Sequence, residues 1–520
     1  MATLLAPLMT PREIAASARN RIERLFDALT DPVRGELTML LVLAGYLAAW
    51  WLYAVIARSS QDIHADMGEM VDWSRVAGLG TPKHPPLGAW LARGWFSVFP
   101  REDWAYYLFA MILPAAALWI TWRLADRYLS RDKRVIAVVL LTFVPFYNFH
   151  AIKFNANSVL TPLWAATTWW FLRSFETRRP SWAALSGIAA AAAMLGKYWS
   201  VLLLAGLGIA ALTDRRRDAY LGSPAPYVTL AVGTILLTPH LDWLFEHHFV
   251  SLTYAMQTHS TTLIFAAVSS LEFLVGSVLY VTAPLAFTML AAHPSAAAIA
   301  DTFWPSEPER RTLAIAFVAP FLLAALISVV LIVEIASLWA ICAMTLLPIV
   351  LLSSPLVTIP RRAAVRLLTI ALAFPLVMVA LSPVIALYNH RRGVSDDRSH
   401  YRQIAQTVER VWSEHTDRPL QIVGSTSILE GIVFYFQKQP ATFDVDFPDK
   451  TPWVDDNRIR NEGIAIVCPV TEPFCMRELQ GFAAHYHAIA DEHFVVTRRF
   501  FGADDAPARF EIAIIPPRPQ

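Results

Sequence analysis

The sequence predicts an α-helical polytopic membrane protein with about eleven transmembrane helices and a small C-terminal α/β domain. Three observations carry this. Of 520 residues, 56% are hydrophobic and only 16% are charged, whereas a soluble chain carries about 25% charge. The apolar residues gather in long uncharged runs separated by charged loops. From about residue 388 the composition becomes that of a soluble domain.

Residues 1–36 form a polar leader to the first run. Thr10-Pro11-Arg12-Glu13 reads as a capping box with proline in the first helical turn. Ile14, Ala18, Ile22, Leu25 and Leu29 then share one face, with Arg12, Arg19, Arg21 and Arg24 elsewhere. This fits a cytoplasmic amphipathic helix on the inner leaflet, and equally a helix packed within the protein. The run from Leu37 to Ala57 is long enough to span a bilayer and exceeds a signal-peptide core. Further spans are expected at 105–122, 135–151, 157–174, 182–196, 198–213, 226–240, 270–292, 312–332, 336–353 and 365–387, giving a membrane domain over 37–387.

Basic residues fix the expected orientation. Arg123, Arg127, Arg131, Lys133 and Arg134, then Arg178 and Arg179, Arg215 to Arg217, Arg310 and Arg311, and Arg361, Arg362 and Arg366 fall in alternate loops, as cytoplasmic loops should. The N-terminus falls on that side and, with an odd span count, residues 388–520 fall outside. Two external loops stand out. Residues 58–104 hold Asp62, Asp66, Glu69 and Asp72. Residues 241–269 hold Asp242, Glu246, His247, His248 and His259, next to His240.

In the C-terminal part Tyr401, Ile404, Val408, Val411 and Trp412 mark a helix. LQIVG, GIAIVCP and FEIAII read as buried strands. Cys468 and Cys475 lie close together; an extracytoplasmic setting favours a disulfide between them, two free thiols being the alternative. The balance of 43 Lys+Arg against 42 Asp+Glu gives no field for nucleic acid. No Walker A motif, GxGxxG fingerprint, HExxH motif or internal repeat supports an ATP-driven pump or a zinc protease.

The densest motif is His64-Ala65-Asp66-Met67-Gly68-Glu69, followed by Lys83-His84-Pro85-Pro86-Leu87-Gly88-Ala89-Trp90-Leu91. With Lys153-Phe154-Asn155-Ala156-Asn157 and Leu195-Gly196-Lys197-Tyr198, it resembles the GT-C glycosyltransferases. Within them it is most similar to the protein O-mannosyltransferase-like group, which includes the lipid A aminoarabinose transferase and the rhizobial lipopolysaccharide-core galacturonosyltransferases. The resemblance implies a GT-C fold in the bacterial inner membrane and a polyprenyl-phosphate-linked sugar as donor. It implies inverting transfer to a lipid A, core or other envelope hydroxyl on the periplasmic face, with loop 58–104 catalytic. No nucleotide, redox cofactor or metal is expected. The family's first acidic position falls on Asp66, although Met67 stands where many relatives have glutamate. Asn157 stands where relatives often have a second aspartate, which puts a second carboxylate in doubt.

Sugar transfer from a phosphate diester needs a base for the acceptor hydroxyl and positive charge for the departing phosphate. Asp66 is the candidate base, its alternative being a helix cap. Glu69 shares its face if the stretch is helical. Lys83, Lys153 and Lys197 are candidate phosphate ligands, snorkelling to headgroups being the alternative. Lys197 is the most telling, since a charge near membrane depth is costly. Tyr198, Asn155 and Asn157 can add hydrogen bonds. His84, held before two prolines, can contact substrate or form a turn. His240 and Asp242 can line the pocket or anchor the interface. Glu272 and Glu334 read as pocket acids or paired structural charges, and the histidines at 247–259 lack clear ligand spacing. A transporter or flippase, or a non-catalytic scaffold of the same fold, are the rival readings.

Overall fold

The computed structural model describes residues 11–76, 78–393 and 400–518. The helical part begins with α1 (Pro11–Thr30) and α2 (Gly35–Ala57). Two short helices, α3 (Ala65–Val76) and α4 (Leu87–Phe96), fill the loop before α5 (Asp103–Ala125). There follow α6 (Arg131–Leu141), α7 (Ala156–Thr177), α8 (Pro180–Gly196), α9 (Ser200–Thr213), the short α10 (Arg217–Leu221) and α11 (Ala225–Glu246). A second loop carries α12 (Val250–His259) before α13 (Leu263–Tyr280) and α14 (Thr282–Ala292). Then come α15 (Ala296–Phe303), α16 (Pro308–Leu331), α17 (Leu347–Ser353) and the long α18 (Arg361–Arg392).

Among the described residues six helices are long and apolar enough to cross a membrane, α2, α5, α11, α13, α16 and α18. A seventh span results if α6 and the segment Pro145–Ile152 count as one, though they are bent by 83°. This is fewer than the eleven runs suggest, because several runs are short or broken. The run at 135–151 breaks where Pro145 follows Val144, whose backbone is extended (φ −80, ψ 124); proline disfavours helix in the residue before it. The run at 336–353 is a 3-10 turn over Ser337–Leu346 leading into α17. Helix α13 starts at Leu263 rather than 270, where the Thr262 hydroxyl caps it by accepting from the Phe265 N–H. The expected cap at Thr10 lies outside the described residues. Helix α1 packs within the protein: Phe26 and Leu29 are buried against α2, α6 and α18, while Arg19, Arg21 and Arg24 face outward.

The C-terminal domain comprises α19 (Tyr401–His415), β1 (Ile422–Ser425), α20 (Leu429–Val433), β2 (Ala441–Asp444), α21 (Asp456–Glu462), β3 (Ile464–Pro469), α22 (Pro473–Tyr486), β4 (Ala490–Val496), the hairpin β5 (Arg499–Phe500) and β6 (Ala503–Asp504), and β7 (Ala508–Ile515). The sheet order is β2-β1-β3-β7-β4, with β1 parallel to β2 and β3, and β7 antiparallel to β3 and β4. Strand side chains alternate between faces. Ala465 and Val467 pack under α19, and Ile464, Ile466 and Cys468 face α22. Both faces are covered, so β3 reads as an unbroken apolar run. Cys468 and Cys475 are joined in a disulfide.

Acids of the first loop hold this domain on the membrane part. Asp62, 2% exposed, pairs with Arg498 at 2.6 Å and accepts from the Arg402 N–H. Asp72 pairs with Arg75 at 2.8 Å and accepts from the Thr442 hydroxyl of β2. Arg75 also donates to the carbonyls of Gln439 and Pro440. Asp103 meets Arg402 at 3.1 Å and the Tyr435 hydroxyl at 3.1 Å. At the centre Gly68 of α3 touches the backbone of Glu430 in α20: a Cβ there would lie 2.0 Å from the Glu430 carbonyl oxygen. Removing one partner of a buried pair leaves the other charge uncompensated, at about 3–5 kcal/mol. Asp62→Ala is therefore expected to lower the thermal unfolding midpoint of the purified protein sharply. Arg19→Ala, which breaks the exposed pair with Glu23, is expected to leave it almost unchanged.

Candidate functional site

The remaining two acids of the first loop face lysines instead of the C-terminal domain. Asp66 sits in the first turn of α3. Its Oδ2 is 3.1 Å from Lys153 Nζ and accepts from Asn155 Nδ2 at 2.9 Å. The His64 ring Nδ1 lies 3.1 Å from the Asp66 backbone nitrogen and 3.4 Å from Oδ1. Asn155 is itself fixed as the N-cap of α7, its Oδ1 accepting from the backbone of Asn157 and Ser158. Burial pushes the Asp66 carboxyl up, but His64, Lys153 and Asn155 outweigh it and hold the group well below the usual carboxylate range. Asp66 is thus an oriented, permanently ionised carboxylate. Tyr106 pins the next residue by donating to the Met67 carbonyl at 2.8 Å.

One turn along α3, Glu69 is 3% exposed and 2.5 Å from Lys83 Nζ. Burial drives the Glu69 carboxyl up, and Lys83 opposes this. A second carboxylate, Glu430 of α20, stands beside this pair. Burial and the neighbouring Glu69 push it up to about 8. Sequence reasoning missed Glu430, and nothing in its local sequence marks it.

Lys197, between α8 and α9, donates to Asn157 Oδ1 at 2.7 Å and lies 4.5 Å from the centre of the Trp339 ring. Neither partner is charged, and among the described residues it has no carboxylate within ion-pair distance. His84 lies within the field of Lys197 and Lys83. Burial, Lys197 and Lys83 together hold it well below its ordinary value, so it is neutral at physiological pH. It also closes a turn with Thr81, whose N–H and hydroxyl donate to the His84 carbonyl. The charges therefore sum simply: Asp66 with Lys153 and Glu69 with Lys83 are neutral pairs, and Lys197 remains as one uncompensated positive charge beside them.

His240 and Tyr198 form a brace next to this centre. His240 Nδ1 donates to the Leu79 carbonyl at 2.7 Å, and Nε2 accepts from the Tyr198 hydroxyl at 2.8 Å. The brace fixes loop 78–81, where Gly80 lies flat on Trp243; a Cβ there would meet the ring at 2.2 Å. Asp242 is not brought in: it is exposed and, among the described residues, its side chain makes no hydrogen bond or ion pair. Glu334 holds a backbone link instead, its N–H donating to the His259 carbonyl. Glu272 is no pocket acid either; it lies exposed on α13. His247 and His248 are exposed. Among the described residues no three His, Cys, Asp or Glu side chains converge as a metal site. Apolar cavities of about 410 Å³ between α7, α8, α9 and α11 and about 630 Å³ between α13, α14 and α16 open away from these charges.

The chain is thus a multi-pass helical bundle in which a carboxylate of the first loop meets lysines beneath a small C-terminal domain. Comparison with known proteins gives the following. Residues 83–243 match the family model described as dolichyl-phosphate-mannose-protein mannosyltransferase. The lipopolysaccharide core galacturonosyltransferase RgtB of Rhizobium johnstonii is 26% identical over 225 residues, which are 42% of this chain and 44% of that protein. The aligned part thus spans less than half of this curated relative. The crystal structure of ArnT from Cupriavidus metallidurans bound to undecaprenyl phosphate superposes with a TM-score of 0.63 at 12% identity, covering 92% of this chain and 99% of that one. Its apo state gives 0.61 over 94% and 100%. The chain is similar to these glycosyltransferases over part of its length and has the ArnT-like fold.

Glu430 provides a test of the site's electrostatics. Its folded-state value is raised, so between the ordinary carboxyl range and about pH 8 the folded protein holds a proton that the unfolded chain has lost. Its contribution to stability is full at low pH and falls as pH rises through that window. Glu430→Gln, which cannot ionise, is expected to lose less thermal stability than the wild type when buffer pH is raised from the ordinary carboxyl range to about 8. A parallel decline in both would refute this placement of Glu430.

Proposed function

We propose that this protein transfers a sugar from a polyprenyl-phosphate donor to a hydroxyl of an envelope lipid or lipopolysaccharide, with inversion. The observation that carries the reading is the ionised carboxylate of Asp66 set among three lysines, one of which, Lys197, lacks a carboxylate partner. A single surplus cation beside an oriented base suits a donor that brings a phosphate and an acceptor that brings a hydroxyl.

In this mechanism Asp66 accepts the proton of the acceptor hydroxyl. The oxygen attacks the anomeric carbon from the face opposite the phosphate. The bond between that carbon and the phosphate oxygen breaks, and polyprenyl phosphate leaves with the electron pair. Lys197 meets the phosphate, and Lys83 and Lys153 add charge around it. When Lys153 turns toward the phosphate, Asp66 loses the partner that depresses its basicity, so donor binding prepares the base. Glu69 keeps Lys83 in place, and Asn155 aims Asp66. The names of RgtB and ArnT support a lipid-linked donor and a lipopolysaccharide-type acceptor. The distribution of basic loops supports a bacterial inner-membrane setting with the N-terminus cytoplasmic and the C-terminal domain periplasmic. No cofactor is required by this scheme.

The test is transfer by purified protein in nanodiscs from a panel of polyprenyl-phosphate sugars to envelope lipid extract, read as a sugar-sized mass gain. Asp66→Asn is expected to lower the rate about 10²–10⁴-fold, the usual worth of a positioned base, while thermal unfolding shows it folded. Undiminished transfer by Asp66→Asn would remove Asp66 from the role. No transfer by folded wild type from any donor would overturn the reading.

A further inference from the structure

Glu272 has no account in the scheme above. It lies on α13, one of the six membrane-crossing helices, and it is exposed there. Its depth can be read from the neighbouring α16. The Ser270 hydroxyl donates to the Ala325 carbonyl at 3.2 Å, and the Thr261 N–H donates to the Ile332 carbonyl. The two helices thus run antiparallel with their levels fixed, and Glu272 falls near the level of Leu323. That is close to halfway between Arg311 and Glu334, the charges that bracket the apolar stretch of α16, and roughly 15–18 Å from either at 1.5 Å per residue. Among the described residues Glu272 has no hydrogen bond or ion pair. A carboxylate at such depth on the lipid side is rare, because hydrocarbon offers it neither water nor a donor.

The surface around it is organised. Ile264, Val268, Leu271, Val275 and Val278 are all exposed, at 76%, 45%, 63%, 50% and 58%. Their spacings of four, three, four and three residues make one apolar seam of the kind that packs against a second helix. Glu272 lies directly beside this seam. In a parallel self-pairing through the seam, the flanking positions opposite Glu272 would be Ala267 and Leu274, which offer no donor.

We propose that this face of α13 docks a transmembrane helix of a different protein, one that presents a Lys, Arg or other hydrogen-bond donor to Glu272. The seam supplies packing, and the carboxylate sets which partner is accepted and in what register, since a wrong helix would leave it unpaired. The site described above lies elsewhere, so the interaction adds an assembly surface to the protein and does not depend on the proposed reaction.

The test uses the full chain in the membranes in which it is naturally made, with a benzophenone amino acid at Val275. On illumination the expected result is one foreign polypeptide joined to α13. Mass spectrometry of the linked peptide should place it in an apolar helix that contains a Lys, Arg or other donor. Glu272→Leu is expected to reduce that adduct at least ten-fold. Glu272→Gln, which keeps an acceptor, should retain part of it. Unchanged thermal unfolding of both variants shows that the fold is intact. An adduct with a second copy of this chain, adducts with lipid only, or a foreign adduct insensitive to Glu272→Leu would each overturn the proposal.

Discussion

A carboxylate taken out of water must meet positive charge or donors, and the loop between α2 and α5 is built around that requirement. Four acids stand within a short stretch, and each is matched differently. Asp62 and Asp72 are answered from the C-terminal domain by Arg498 and Thr442, with Arg75 completing the second pair. Asp66 and Glu69 are answered by Lys153 and Lys83. Burial makes the Asp62, Glu69 and Asp72 pairs consequential, because an unmatched carboxylate there would carry the desolvation cost. The two outer acids, Asp62 and Asp72, therefore grip the C-terminal domain, and the two inner ones, Asp66 and Glu69, confront the lysines.

The second group is balanced except at Lys197. An aspartate at position 157 would neutralise Lys197. Here an amide oxygen and the face of Trp339 hold the ammonium without cancelling it. The departure that put a second carboxylate in doubt is thus the feature that leaves the pocket positive. Glu430, pushed up to about 8, keeps the balance by staying neutral at physiological pH.

Much of this was legible in the sequence. The HADMGE and KHPPLGAWL stretches mark Asp66, Glu69, Lys83 and His84, and β1, β3 and β7 of the C-terminal domain follow from short apolar runs bounded by turn residues, whereas β2 and β4 carry no such mark. The misses have physical causes. A run of apolar residues does not reveal where a proline such as Pro145 redirects the chain, so the run at 135–151 reads as one straight span and is in fact bent. His240 carried a pocket signal and proves to be a brace, while its neighbour Asp242 points away. Glu430 and Trp339 were invisible because they reach the site from elements distant in sequence, placed by tertiary packing alone. The contact of Gly68 with the Glu430 carbonyl is of the same kind: a glycine in an acidic motif looks like spacing until its missing side chain is seen to be room for another backbone.

That contact also governs when the site comes into being. Asp66 and its lysines are synthesised early and can assemble as soon as α3, α7 and α9 have packed. Glu430 arrives later, and α20 rests on a sheet whose inner strand, β7, is translated last of the five. Until β7 slots between β3 and β4, the sheet is split, with β4 apart from the strands that carry α20. A chain that has not reached α20 leaves Gly68 bare, and a longer one covers it. Maturation of the protein is in this sense a single late event, the closing of a roof over a floor laid hundreds of residues earlier.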